Sequence, residues 1–328
     1  MKCTLNVTGP NIVNMPIFRC SGKKGSNSRK SFRPILTGTI AALFLISLSP
    51  LFAAGRSEEK TPSVAVSILP MKYFVDRISG GEIDVTVLVP PGKSPATYEP
   101  TPRQVTDLSA AEVLFTIGVP FELSFIPIIA STLPDLEIVD TTTGIEKREI
   151  DGDEHEESDG HDEHSDLPDP HVWLSPPLVK IQARNILHAL IEAYPAQEDS
   201  FSHNYRALLD DLDALHRRLK ESLAPVKGSS ILVYHPSFGY FAEEYGLHQI
   251  AVELGGKEPT PKKLEQVIAR AREEGVKVIF VQPEFSRTSA ERVADAIGGA
   301  VVEVAPLKPD YLENMYEIAA KIEAGILR

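Results

Sequence analysis

Gln197–Leu223 reads QEDSFSHNYRALLDDLDALHRRLKESL. Tyr205, Leu208, Leu212, Leu215 and Leu219 recur at three- and four-residue steps, which lays one apolar stripe along a helix. Roughly 27 helical residues at 1.5 Å each span about 40 Å. A helix of that length can run the height of two lobes and join them stiffly. The sequence on either side has the rhythm of strands alternating with helices.

Upstream, Ser63–Leu69, Asp84–Val89, Val113–Ile117 and Leu136–Val139 read as strands, with helices expected over Met71–Ser79, from Thr101 and over Phe121–Ser131. Thr101-Pro102-Arg103-Gln104 is a capping box with Pro at the first helical position. Ser175 is expected to cap a helix running from Pro176 to about Tyr194. Downstream, Ser230–Tyr234, Gln249–Glu253, Val276–Val281 and Val301–Val304 read as strands. Helices are expected over Tyr240–Tyr245, from Thr260 to Glu274, from a Thr288–Glu291 capping box to Gly298, and over Tyr311–Leu327. The expected fold is α/β: two βα lobes with parallel sheets, residues 62–194 and 226–328, joined by a rigid backbone helix at 195–225. Ligands in such folds collect at the carboxyl ends of strands, here in the cleft between lobes.

The first 55 residues read differently. Seven Lys/Arg and no Asp or Glu precede an 18-residue apolar run, Ile35–Phe52, and Ala53-Ala54-Gly55 follow. This is the pattern of a secretory signal cleaved after Gly55, with translation starting at Met1 or Met15. An uncleaved membrane tether is the alternative, at the short limit for spanning. The chain beyond Gly55 carries 26 Lys/Arg against 46 Asp/Glu. Such a surface argues against nucleic acid and anionic membrane and suits a carrier of cations. Cys3 and Cys20 both precede the apolar run, so the exported part has no disulfide, no thiolate metal site and no lipid-anchoring cysteine.

Asp151–Trp173 reads DGDEHEESDGHDEHSDLPDPHVW. Its first part, through Asp169, holds ten Asp/Glu and three histidines, His155, His161 and His164, with no Lys or Arg. Ten like charges with few apolar side chains cannot build a core. A plain solubilising loop is one reading. A labile metal-capturing tract is the other, because imidazole is the commonest metal ligand and carboxylates add anionic oxygens. His171 then stands where ordered, partly apolar sequence resumes.

His235 directly follows the apolar strand ILVY, which aims it into the cleft; a core histidine bonded to backbone is the ordinary alternative. Glu253 ends the strand QIAVE, and Glu284 follows VKVIFVQP. His188, His203, His216 and His248 read as surface residues in helices or at their ends.

At these residues the chain resembles the solute-binding proteins of zinc and manganese ABC transporters, the cluster A-I zinc-uptake family. The similar segments are Ser67–Pro102, DPHVWLSP (Asp169–Pro176), HPSFGYFAEEYG (His235–Gly246), and ELGGKEPTPKKL (Glu253–Leu264) with VKVIFVQPEFS (Val276–Ser286). The resemblance runs from about Ser63 to the C-terminus. It implies two α/β lobes on a backbone helix and one transition-metal ion in the cleft. It also implies a periplasmic or extracytoplasmic monomer whose partners are an ABC permease and its ATPase. His171 and His235 match two histidine ligands of the family. The family's first histidine, in SPHTYEP, is replaced by Ala96, and a late carboxylate is replaced by Ala305. Glu253, Glu284, Glu99, a loop histidine or water are left to complete the shell, with Glu253 ranked first. The implied cargo is Zn2+, with Mn2+ as the alternative.

A surface adhesin or metal buffer on the same fold is a further reading. A zinc hydrolase is the enzymatic one, with Ala96 opening a coordination position, but no HExxH-type motif and no general base accompany it.

Overall fold

A computed structural model describes residues 61–150, 168–253 and 259–328. The expected export signal, His155, His161 and His164 lie outside the described residues.

Two four-stranded parallel sheets form the frame. The first contains β1 (Ser63–Val66), β2 (Asp84–Val87), β3 (Val113–Thr116) and β4 (Glu137–Asp140), in the order β2-β1-β3-β4. The second contains β5 (Ser230–Val233), β6 (His248–Ala251), β7 (Val278–Val281) and β8 (Ala300–Glu303), in the order β6-β5-β7-β8. The two orders are the same. In each, the chain reverses its direction of travel across the sheet beside the first strand, which makes the carboxyl ends of β1 and β5 the natural ligand positions. Helices α1 (Leu69–Ser79), α2 (Pro102–Leu108) and α3 (Pro120–Thr132) are interleaved with the first sheet, and α6 (Gly239–Tyr245), α7 (Pro261–Glu273) and α8 (Arg287–Ile297) with the second. Between the sheets in sequence lie α4 (Pro176–Ala193) and α5 (Glu198–Leu223), and α9 (Tyr311–Ile326) ends the chain.

The expected long helix is α5, flanked by short 3-10 turns at Pro195–Gln197 and Ala224–Val226. Leu208, Leu212, Leu215 and Leu219 are all buried, as the stripe requires. They belong to one hydrophobic core that includes Val64 and Phe115 of the first sheet and Val233 and Phe280 of the second. In the second sheet, Ile231 and Val233 face this shared core. Leu232 and Tyr234 face a smaller one with Val267 of α7 and Val293 of α8. Strands covered on both faces read as unbroken apolar runs for this reason.

Local start signals are obeyed in part. Thr101 and Gln104 make the expected capping box. Ser175 stands at the N-cap of α4, but its hydroxyl is turned to the Glu244 carboxylate and caps nothing. Ser286, two residues before Thr288, caps α8 by accepting from the Ser289 N–H. His248 opens strand β6 rather than sitting at a helix end, and it is exposed.

Glu122, in the first turn of α3, is a buried carboxylate that accepts from the Ile117 N–H at 3.1 Å and the Gly118 N–H at 2.7 Å. Burial pushes its pKa up, and hydrogen bonds from Ser67, Gly118 and Ile117 counter this only partly. The folded chain therefore holds a proton the unfolded chain has released. Its contribution is fully present below the ordinary carboxylate range and is lost as pH rises through the raised value. Glu122→Gln cannot ionise, so the wild-type stability advantage over it should shrink as pH rises above the ordinary carboxylate range. Urea unfolding of both proteins along that rise measures this, and a growing advantage would contradict it. Leu212→Ala removes a fully buried side chain from the shared core and should cost about 2–5 kcal/mol in the same experiment.

Candidate metal centre

The register of the second sheet builds half of the site. β5 pairs with β6 so that Val233 lies beside Ala251, and with β7 so that Val233 lies beside Phe280. Pairing persists past the strand ends: the Glu253 N–H donates to the Tyr234 carbonyl at 2.8 Å, and the Tyr234 N–H to the Phe280 carbonyl at 2.8 Å. Two residues beyond Val233, His235 therefore finds Glu253 on one side and Gln282 on the other. Gln282 grips the His235 backbone, donating from Nε2 to its carbonyl at 3.0 Å and accepting from its N–H at 3.4 Å. The Glu253 carboxylate meets His235 Nδ1 at 2.6 Å. Phe285 stacks on the His235 ring, centroids 4.7 Å apart. Burial pulls the His235 pKa down despite Glu253, which favours neutral imidazole.

The other half comes from the chain just after the acidic tract. Asp169 is fully buried, and its Oδ1 receives both the His171 N–H at 2.9 Å and His171 Nδ1 at 2.7 Å. His171 opens a 3-10 turn, Val172–Leu174, whose Trp173 donates from Nε1 to the Pro306 carbonyl at 3.1 Å. Two further bonds hold the Asp169 backbone, and a third braces them. The Asp169 N–H donates to the Arg148 carbonyl at 2.8 Å, the Tyr240 hydroxyl donates to the Asp169 carbonyl at 3.0 Å, and the Arg148 N–H donates to that same hydroxyl at 3.0 Å. Burial holds the Tyr240 pKa up at about 12, so the hydroxyl keeps its proton. The Arg148 guanidinium lies 3.9 Å from Asp169 Oδ2. It occupies the space above Gly239 where any side chain would stand, since a Cβ built there would meet Nη1 at 1.6 Å.

The two rings meet nose to nose, His171 Nε2 lying 3.3 Å from His235 Nε2. A carboxylate accepts at each Nδ1, so each Nδ1 carries the proton and each Nε2 presents a lone pair. With the Nδ1 atoms engaged by carboxylates, the two Nε2 atoms are the ring nitrogens left to share a cation. Two nitrogens at 2.0–2.1 Å from one tetrahedral ion would stand about 3.3 Å apart. The pair has the spacing for zinc without any movement.

The remaining sequence candidates are spread out. Glu253 stands behind His235, across the ring from Nε2. Glu284 is half-buried in the wall of the cleft cavity, its pKa raised by burial and then by Glu303. Glu99 is exposed. Ala96 lines the cavity beside Pro95 and Val119, and Ala305 lines a neighbouring one. Among the described residues, no three His, Cys, Asp or Glu side chains converge on a common metal position. Ile150 and Pro168, which bracket the acidic tract, both line the cleft cavity. Sequence reading missed Asp169, Gln282 and Tyr240. An Asp two residues before a candidate ligand was the available signal for the first. Counting strand register would have found the second.

Comparison with known proteins identifies the family. The family described as zinc-uptake complex component A, periplasmic (ZnuA), matches residues 64–325. The high-affinity zinc uptake system protein ZnuA of Bacillus subtilis is 31% identical over 275 residues, covering 79% of this chain and 84% of its own. A crystal structure of a ZnuA deletion mutant with zinc bound superposes with a TM-score of 0.74 at 35% identity, covering 81% of this chain and 98% of that one. FpvC of Pseudomonas aeruginosa in complex with Mn2+ shares the fold, with a TM-score of 0.71 at 23% identity over 82% of this chain and 99% of that one. These are transport proteins rather than enzymes, and the metal is their cargo rather than a cofactor. This chain belongs to the ZnuA family, the periplasmic component A of zinc-uptake complexes.

Proposed function

We propose that the chain captures one zinc ion between His171 and His235 and delivers it to the permease of an ABC transporter. The observation that carries this reading is the pair of Nε2 atoms 3.3 Å apart, each ring backed at Nδ1 by a buried carboxylate. His171 and His235 are the ligands. Asp169 and Glu253 fix their tautomers and raise their basicity, a role that outer carboxylates commonly play at zinc. Glu284 stands in reserve in the cavity wall. Family membership supports an extracytoplasmic place for the protein, and residues 1–55 supply the export signal, cleaved after Gly55. The acidic tract with His155, His161 and His164 raises the local metal concentration. Ile150 and Pro168, the described residues on either side of it, line the cleft cavity.

Manganese is the second reading. Two imidazoles leave most of the shell to oxygen donors, which suit that ion.

The test is competition of zinc and manganese against a chromophoric chelator, using stripped protein lacking Asp151–Asp166. Deleting the tract should leave one tight site, and His171→Ala combined with His235→Ala should abolish it. Loss of all binding on deletion alone would move the site into the tract. Tighter manganese than zinc binding would decide for the second reading. Asp169→Asn keeps shape but weakens the hold on Nδ1, and zinc affinity should fall about 10–100-fold. An unchanged affinity would remove Asp169 from the site's chemistry.

A further inference from the structure

We infer that both metal-holding histidines are carried by the lobe of the second sheet, that Tyr240 and Trp173 are the residues positioning His171 there, and that the first lobe is a cover. The ion is exposed for hand-over by lifting that cover off an intact pair, not by pulling its two ligands apart. The inference rests on the zinc-binding reading above and deepens it by naming which part moves.

His171 follows the first sheet in sequence, yet its segment is bonded to the second lobe. The Tyr240 hydroxyl of α6 donates to the carbonyl of Asp169, whose carboxylate holds the His171 ring. The same hydroxyl accepts from the Arg148 N–H, and the Arg148 Nε lies 3.7 Å from the Glu243 carboxylate, also of α6. On the other side of His171, Trp173 donates from Nε1 to the Pro306 carbonyl in the loop after β8. The Ser175 hydroxyl meets Glu244 of α6 at 3.4 Å. Tyr240 and Trp173 are both buried, so water does not compete for their bonds. Among the described residues, no hydrogen bond from Asp169–Ser175 reaches the first sheet or helices α1, α2 and α3.

The first lobe meets the cavity through two loops, Ser94–Ala96 after β2 and Gly118–Pro120 after β3. None of these six residues is a His, Cys, Asp or Glu. The loops are joined to one another and to α3. The Pro95 carbonyl accepts from the Phe121 N–H at 3.3 Å, and the Glu122 carboxylate holds the Ile117 and Gly118 N–H groups. This wall is therefore one piece. Among the described residues, the hydrogen bond that ties it to the stem of the acidic tract runs from Lys147 Nζ to the Ile117 carbonyl at 3.5 Å, at the weak limit of such bonds. Behind the cleft the lobes stay joined, with Tyr311 of α9 packed edge-on against Phe74 of α1. A hinge there lets the wall part from the histidines without breaking a buried hydrogen bond.

The experiment is hydrogen exchange of the purified chain, stripped and zinc-loaded, read by mass spectrometry. Zinc should slow exchange at Asp169–Trp173 and Tyr234–Ser237 and leave residues 94–97 and 117–121 unchanged. Slowing at those first-lobe loops as well overturns the inference and leaves the zinc-binding reading standing. No slowing at either histidine segment overturns both. Tyr240→Phe and Trp173→Phe each remove one donor, and the rate of zinc loss to excess chelator should rise about tenfold in either. A variant that unfolds earlier in urea but loses zinc at the wild-type rate shows a merely structural bond and overturns the positioning role of that residue.

Discussion

Two imidazoles from different parts of the chain are held with their Nε2 atoms 3.3 Å apart, and the rest of the structure serves that approach. Each ring is pinned from behind. Glu253 reaches Nδ1 of His235 through strand register, and Asp169 reaches Nδ1 of His171 across two residues of backbone. The rings must also be brought within one ion's width although they come from opposite sides of the α5 segment. The buried leucine face of α5 fixes that distance by packing into a core shared with both sheets. The arrangement of the two rings is thus set by apolar packing and backbone hydrogen bonds. Preorganisation of this kind lowers the cost of binding.

The second constraint lies at the base of the acidic tract. The Asp169 N–H bond to the Arg148 carbonyl and the bridge between Glu149 and Pro168 join the two ends of the tract. Tyr240 of α6 then ties both ends to the second sheet's side of the cleft. Gly239 matters here for space alone, since its hydrogen leaves the gap that the Arg148 guanidinium fills. The side chain that closes the stem also approaches the carboxylate behind His171.

Much of the fold was legible because it rests on local periodicity. The leucine spacing of α5 and the apolar runs of the sheets are set by 3.6- and 2-residue repeats that a sequence displays directly. Helix starts were less legible where side chains had competing partners. Ser175 turned to Glu244, and Ser286 rather than Thr288 met the free amides of α8. At the site, His171 and His235 could be named from their places after a proline turn and after a strand. Glu253 could be named from its strand end as well, but its place behind Nδ1 of His235, like that of Gln282, depends on pairing between strands distant in sequence. Once β5 is set beside β6 and β7, those places follow by counting. Asp169 was hidden by its surroundings, reading as the last of ten acidic residues when it is a fully buried one.

The unbroken core bears on how the protein comes apart. With Phe115 of one sheet and Phe280 of the other in a single apolar cluster through α5, neither half can melt while the other keeps its packing. The shared core thus couples the unfolding of the two sheets. Partial opening belongs to the smaller outer cluster around Val267 and Val293. Helices α7 and α8, and the strand ends beside His235 that they cover, are therefore where amide exchange should outrun the shared core.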